Sequence, residues 1–149
     1  NVREMSDRDA QYVNHVFQAL SDLERIGDYA EHLLHLTEQQ DEKGVNYTKP
    51  AMAELNVIND NAVQLFDRAV AAFYQQNIHL DELKRMAKMQ RTIRKLTSQS
   101  QINHMERLRT GQCGVEAGIL FGEILNSLNR IGGHSINIAE AATVPQNLE

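Results

Sequence analysis

Apolar residues return at intervals of three and four along four long stretches of this chain, and only three short breaks separate the stretches. Such spacing lines side chains along one face of a helix that turns every 3.6 residues, so each stretch is read as a helix with one face turned to a core. The first, from about Asp9 to Gln40, carries Val13, Val16, Leu20, Leu23, Ile26, Ala30 and Leu33 on that face. The second opens at Pro50, a residue favoured in a first helical turn, behind Thr48 as its cap, and carries Leu55, Ile58, Ala62, Leu65, Ala69 and Phe73. The third, capped by Asp81, shows Leu83, Met86, Ile93, Leu96, Met105 and Leu108, but Gln90 and Ser100 interrupt the stripe and make its core face the weakest. The fourth, from about Val115 to Thr143 and stopped by Pro145, turns Leu120, Ile124, Leu128, Ile131, Ser135 and Ile138 inward. Breaks this short set consecutive helices antiparallel, so the expected fold is all-α: an up-down bundle of about four long helices making a single domain over residues 1–149. Aromatic residues at 5%, two prolines and no tryptophan fit helix-on-helix packing.

The first and last stretches are copies of one another. At an offset of 105 residues, Leu20-Ser21-Asp22-Leu23-Glu24-Arg25-Ile26-Gly27 lies over Leu125-Asn126-Ser127-Leu128-Asn129-Arg130-Ile131-Gly132. Glycine inside a helix costs about 1 kcal/mol relative to alanine, so Gly27 and Gly132 need compensation, and close approach of a neighbouring helix is the simplest source. Arg25 and Arg130 then sit at the edge of that contact, their stems covering apolar surface or their heads offered to a partner.

These residues resemble a known family. Asp22-Leu23-Glu24-Arg25-Ile26-Gly27-Asp28-Tyr29-Ala30-Glu31 is similar to the D-L-E-R-I-G-D-x-A-x-N-I-A-E helix of the PhoU family of phosphate-uptake regulators, and the stretch from Leu128 to Glu140 is similar to its second copy. Members typically carry two three-helix repeats, whereas this chain starts at a motif helix and shows four segments. The resemblance therefore implies a shortened or excised PhoU-like domain, with motif helices at about 9–40 and 115–143. Similar domains form cytoplasmic C-terminal parts of bacterial sodium/phosphate cotransporters, and an initial Asn1 in place of methionine fits a piece of a longer protein. The family is also associated with iron or zinc clusters held by an acidic residue and an aspartate four positions on. Carboxylates so spaced share one helix face and offer oxygens to a hard cation. Here each copy keeps half of its pair: Gln18 precedes Asp22, Glu123 precedes Ser127, and Asp28 becomes Gly133 in the second copy. Asp22, Asp28 and Glu123 remain as candidate metal ligands, set against a plain solvated acidic face.

Charge is distributed unevenly. The segment from Asp81 to Arg109 holds eight basic and three acidic residues, so it is positive while the chain as a whole is at −5. Lys84, Lys88, Arg91 and Lys95 form a ladder at helical spacing with Arg94 beside it, read either as a solvated face or as a contact for an anionic partner, such as an acidic protein surface or cytoplasmic lipid headgroups. The acidic balance and the sparse aromatics argue against nucleic acid. His32 and His35, one turn apart beside Glu31 and Glu38, read as polar-face residues rather than a metal pair without a third ligand. Glu-x-x-His does not occur on two helices, which disfavours a di-iron bundle enzyme. Cys113, the only cysteine, permits no disulfide within the chain, fits a reducing compartment, and reads as a turn residue rather than a nucleophile. A G-x-x-x-x-G-K loop and an apolar run of membrane-spanning length are both missing from the sequence. The expectation is a non-enzymatic, cytoplasmic regulatory domain, attached to or working at the inner face of the membrane. It would control phosphate uptake by contact with a transporter membrane domain or a signalling protein, and would be open to homo-oligomer formation. A metal-storing or metal-sensing bundle is the alternative.

Overall fold

The computed structural model describes residues 4–76 and 78–143, and the expected stop at Pro145 lies outside them. Four helices follow in order: α1 (Asp7–Glu42), α2 (Lys49–Gln75), α3 (Leu80–Arg109) and α4 (Val115–Ala141). Local chemistry sets their ends. Ser6 and Asp9 form a capping box on α1: Ser6 Oγ accepts from the Asp9 amide and Asp9 Oδ2 accepts from the Ser6 amide, each at 3.2 Å. The hydrogen bonds from Ser6 hold the Asp9 carboxyl below its usual range. Thr48 caps α2, its Oγ1 accepting from the Ala51 amide, with Pro50 in the first turn where a missing N–H costs nothing. The cap residue of α3 is His79 instead of Asp81, which lies inside the first turn where its charge favours the positive end of the helix. Gly44 and Gly111 turn the chain after α1 and α3 at φ of +60° and +72°, a region that glycine enters without steric cost.

The register of cross-helix contacts gives the topology. Glu54 meets Arg107 and Arg68 meets Glu82, so α2 and α3 run antiparallel. His104 packs on Phe121 and Ile93 on Gly132, so α3 and α4 do too. Along α1 and α4, His15 Nδ1 reaches the carbonyl of Ala141, His134 reaches Asp22, and Lys43 pairs with Glu116, again antiparallel. The chain is thus an all-α up-down bundle, but an asymmetric one. Helices α2, α3 and α4 pack against each other around Ile58, Leu65, Met86, Ile93, Phe121 and Leu125, all of them fully buried. Helix α1 brings its backbone close to α4 alone.

That difference corrects the expected core face of α1. With a single neighbour, the helix buries only the seam of Ala19, Ile26 and Leu36, flanked by Tyr29 and Leu33. Val13, Leu20 and Leu23, expected inside, are exposed, and so is Ala30. In α3 the inner face runs Met86, Ile93, Thr97, Ser100, His104 and Arg107, at steps of seven, four, three, four and three. Met105, expected in the core, is exposed, because the inner stripe is completed by polar residues.

Candidate functional site

The polar half of the α3 stripe encloses a glutamate. Arg107 donates from both Nη atoms to the two Glu54 oxygens at 3.0 Å, Asn103 Nδ2 donates to Oε1 at 3.0 Å, and the Ser100 hydroxyl donates to Oε2. Burial alone pushes the Glu54 carboxyl up, but these hydrogen bonds together outweigh it and hold the group below its usual value. The Arg107 guanidinium lies 5.4 Å from the centre of the Phe121 ring, and His104 stacks on the same ring at 4.7 Å. His104 is pushed down by burial and then by the Arg107 charge, and its Nδ1 lies 3.9 Å from Cys113 Sγ. Tyr47, edge-on to Phe121, is pushed up to about 12 by burial. Glu54, Arg107, His104 and Tyr47 thus form one cluster around Phe121. Its chemistry locks the end of the α2–α3–α4 bundle. Sequence reading missed Glu54, although one carboxylate beside the α2 stripe, matched by an arginine on the α3 stripe, carries the signal.

The surface features lie elsewhere. Between α1 and α2, over Ile138 of α4, runs an apolar groove of about 340 Å³ lined by Leu20, Leu23, Val70, Phe73 and Tyr74. Phe17, one turn before Leu20, is 67% exposed and extends the apolar flank along α1. The duplicated helix shows what these positions are suited to. Leu20 and Leu23 are 55% and 44% exposed, whereas their counterparts Leu125 and Leu128 are 0% and 4% exposed beneath α2 and α3. Gly27 and Gly132 diverge in the same way. A Cβ on Gly132 would lie 3.4 Å from Ile93 Cδ1, so the close approach expected there is present; around Gly27 nothing lies within 4 Å, so it is absent.

A second, polar pocket of about 350 Å³ opens between α3 and α4, lined by Gln90, Arg94, Asn129, Arg130, His134 and Asn137. It joins two residues that the sequence presented separately, Arg94 beside the basic ladder and Arg130 of the motif. Asp22 stands behind it on α1. Its Oδ1 accepts from His134 Nδ1 at 2.8 Å and from Asn137 Nδ2 at 3.2 Å, and because a carboxylate only accepts, the imidazole proton sits on Nδ1.

The remaining candidates are dispersed. Asp28 and Glu123 are exposed, and no group of three or more His, Cys, Asp or Glu side chains among the described residues is placed to hold a metal ion. Asp22 already serves His134 and Asn137, and position 127, its duplicate, is a serine buried to 1% exposure. The donor set therefore does not fit an iron or zinc centre. His35 pairs with Glu38 at 3.3 Å on the exposed side of α1, and His32 is exposed beside it. Arg25 is exposed, as are Lys84, Lys88, Arg91, Arg94 and Lys95, and among the described residues none of the six lies within ion-pair distance of a carboxylate. Among the described residues the basic ladder therefore makes no ion pair. No helix of the described residues is long and apolar enough to cross a membrane.

Compared with known proteins, residues 55–142 match the family model described as the PhoU domain. This stretch is well over half of the chain and takes in most of α2, all of α3 and α4, and none of α1. No match is found to a curated protein or to a solved structure.

Proposed function

The chain belongs to the PhoU family, a regulatory and non-enzymatic family with a general role in phosphate uptake, and from that premise we propose that it regulates uptake by direct protein contact through the apolar groove between α1 and α2. The observation that carries this reading is the uncovered flank of α1. Residues that α4 buries beneath two helices are presented by α1 to solvent, and contiguous exposed apolar surface of this kind marks interaction sites. Because α4 satisfies the same positions with helices, the partner element is a helix that lays an apolar face into the groove. In this reading the partner is the membrane domain of a phosphate transporter, such as a sodium/phosphate cotransporter, or a signalling protein that acts on one. The chain would then work at the cytoplasmic face of the membrane. The unpaired ladder of Lys84, Lys88, Arg91 and Lys95 supports the same setting, since it is attracted to an acidic partner surface or to anionic headgroups.

The test is phosphate uptake in cells that depend on this chain for its control, comparing the natural sequence with a Leu20→Ser/Leu23→Ser variant. Both positions are substantially exposed, so the variant folds, and circular dichroism and protein level confirm it. Loss of control with a folded, abundant protein is expected. Unchanged control in that variant overturns the groove as the contact.

A further inference from the structure

We propose that the polar pocket between α3 and α4 binds a small tetrahedral oxyanion of the phosphate class. This goes beyond contact-based regulation, because a bound anion needs no protein partner. The inference starts from charge. Arg94 and Arg130 line one concavity from two helices, and among the described residues neither has a carboxylate within ion-pair distance. Arg68, Arg85, Arg107 and Arg109, by contrast, each pair with a glutamate. Two arginines without carboxylate partners on one cavity put like charges at its rim, and an anion taken up there would turn that repulsion into charge-assisted contacts. No carboxylate lines the pocket to compete for them.

The rest of the lining suits the same ligand. Gln90, Asn129 and Asn137 contribute amide donors, and His134, its Nδ1 proton given to Asp22, contributes an Nε2 acceptor that the hydroxyl of a protonated phosphate can meet. Asp22 fixes two of these groups from behind, through His134 Nδ1 and Asn137 Nδ2, so their orientation is set before any ligand arrives. No Phe, Tyr or Trp lines the pocket to stack a base, which separates it from a nucleotide or nucleic-acid site. The neighbouring ladder on α3 raises the local concentration of anions at the mouth.

Calorimetric titration of the whole chain with inorganic phosphate at low ionic strength tests the assignment. Saturable binding of one phosphate per chain is expected, and loss of either charged donor in Arg94→Ala or Arg130→Ala weakens it by about tenfold or more. Arg94→Lys, which keeps the charge but not the fork, retains part of the affinity. Lys84→Ala, outside the pocket on the same helix, leaves it within about twofold when the titration is repeated at about 0.15 M salt, where a surface charge beyond about 8 Å is screened. Both arginines are exposed, so the variants keep the fold, with circular dichroism as the check. Absence of saturable phosphate binding overturns the proposal, and so does binding that survives Arg94→Ala/Arg130→Ala. A parallel arm measures association with vesicles containing phosphatidic acid. Vesicle binding without free-phosphate binding, unchanged in the double variant, assigns the charge to a lipid-facing surface and also overturns the pocket.

Discussion

Leu20 and Leu125 hold the same place in a duplicated helix, so truncating each to alanine compares one residue in two environments. Leu125 is fully buried among α2, α3 and α4, and removing its isobutyl carbons leaves a cavity that the packed core cannot fill. Core truncations of this type cost about 2–5 kcal/mol. Leu20 is 55% exposed at the edge of the groove, so less than half of its apolar surface is withdrawn from water. At about 1.5–3 kcal/mol for complete burial, that portion is worth about 1 kcal/mol, and water can enter the space left behind. The two variants are therefore expected to differ by about 1–4 kcal/mol, equivalent to several degrees in Tm at about 2–4 °C per kcal/mol for a chain of this size. Urea unfolding with a shared m value, at two protein concentrations a decade apart, makes the comparison. Equal losses at both concentrations would refute the reasoning, since they would mean that Leu20 is as well covered as Leu125. A Leu20→Ala cost that appears only at the higher concentration would show a second copy of the chain covering the flank.

Three further outcomes follow from the packing. Arg107→Ala leaves the Glu54 carboxylate without its bidentate partner and should cost about 3 kcal/mol, at the lower end for a broken buried pair because Glu54 keeps some access to water; Glu54→Leu/Arg107→Met should recover part of it in a double-mutant cycle by urea unfolding. Acid should weaken the fold in two steps. His104, lowered in the folded chain, withholds a proton that the unfolded chain takes up as pH falls below the usual 6.5, and Glu54, also lowered, does the same below 4.5, so stability is complete above both windows. The urea midpoint followed from pH 7.5 downward checks this, and His104→Gln should flatten the upper step. Finally, Gly27→Ala meets no neighbour and should raise stability by about 0.5–1 kcal/mol, whereas Gly118→Ala places a methyl 2.9 Å from His104 Nε2 and 3.1 Å from Leu108 and should lower it by about 1–3 kcal/mol; thermal unfolding of both settles the contrast.

Helix number and several helix limits were legible because they rest on local signals, though the α3 cap is His79 and not Asp81. Thr48 with Pro50, the glycine turns at Gly44 and Gly111, and the seven-residue stripe of Leu55, Ala62 and Ala69 are all written within a few residues of where they act. Burial on α1 was not legible, because an apolar stripe says that a face is fit to be covered and not whether a neighbour is present. The inner face of α3 failed for a different reason. Its lower half is polar, and a hydrophobic pattern cannot find Ser100, His104 and Arg107 until Glu54 is known to lie opposite. The polar pocket was half legible. Arg94 and Arg130 stood out singly, one in a basic segment and one in a motif, and only the antiparallel register of α3 and α4 places them on one cavity.

The packing of α1 on α4 explains why the two copies of the motif could diverge. His15 meets Ala141 and Asp22 meets His134 in an antiparallel register, and shifting each residue by the repeat offset maps that register onto itself about a centre at Ile26 and Ile131. The two helices are thus related by an approximate two-fold axis, with both central isoleucines buried. Each copy meets the other in a near-equivalent environment along this seam, and differs only in what covers its outer flank. Position 22 shows the limit of that equivalence: Asp22 keeps access to water and two donors, whereas Ser127 is fully enclosed. A carboxylate at position 127 would be desolvated without partners, at a cost of several kcal/mol. A serine at position 127 therefore suits the enclosure that the covering helices impose, where an acid would be costly. In the first copy Asp22, half-buried against α4 with some access to water, accepts from His134 and Asn137 beside the arginine-lined pocket. With no second helix packed over α1, Leu20 and Leu23 stay free for a partner, so the two copies of one helix serve two different proposed sites.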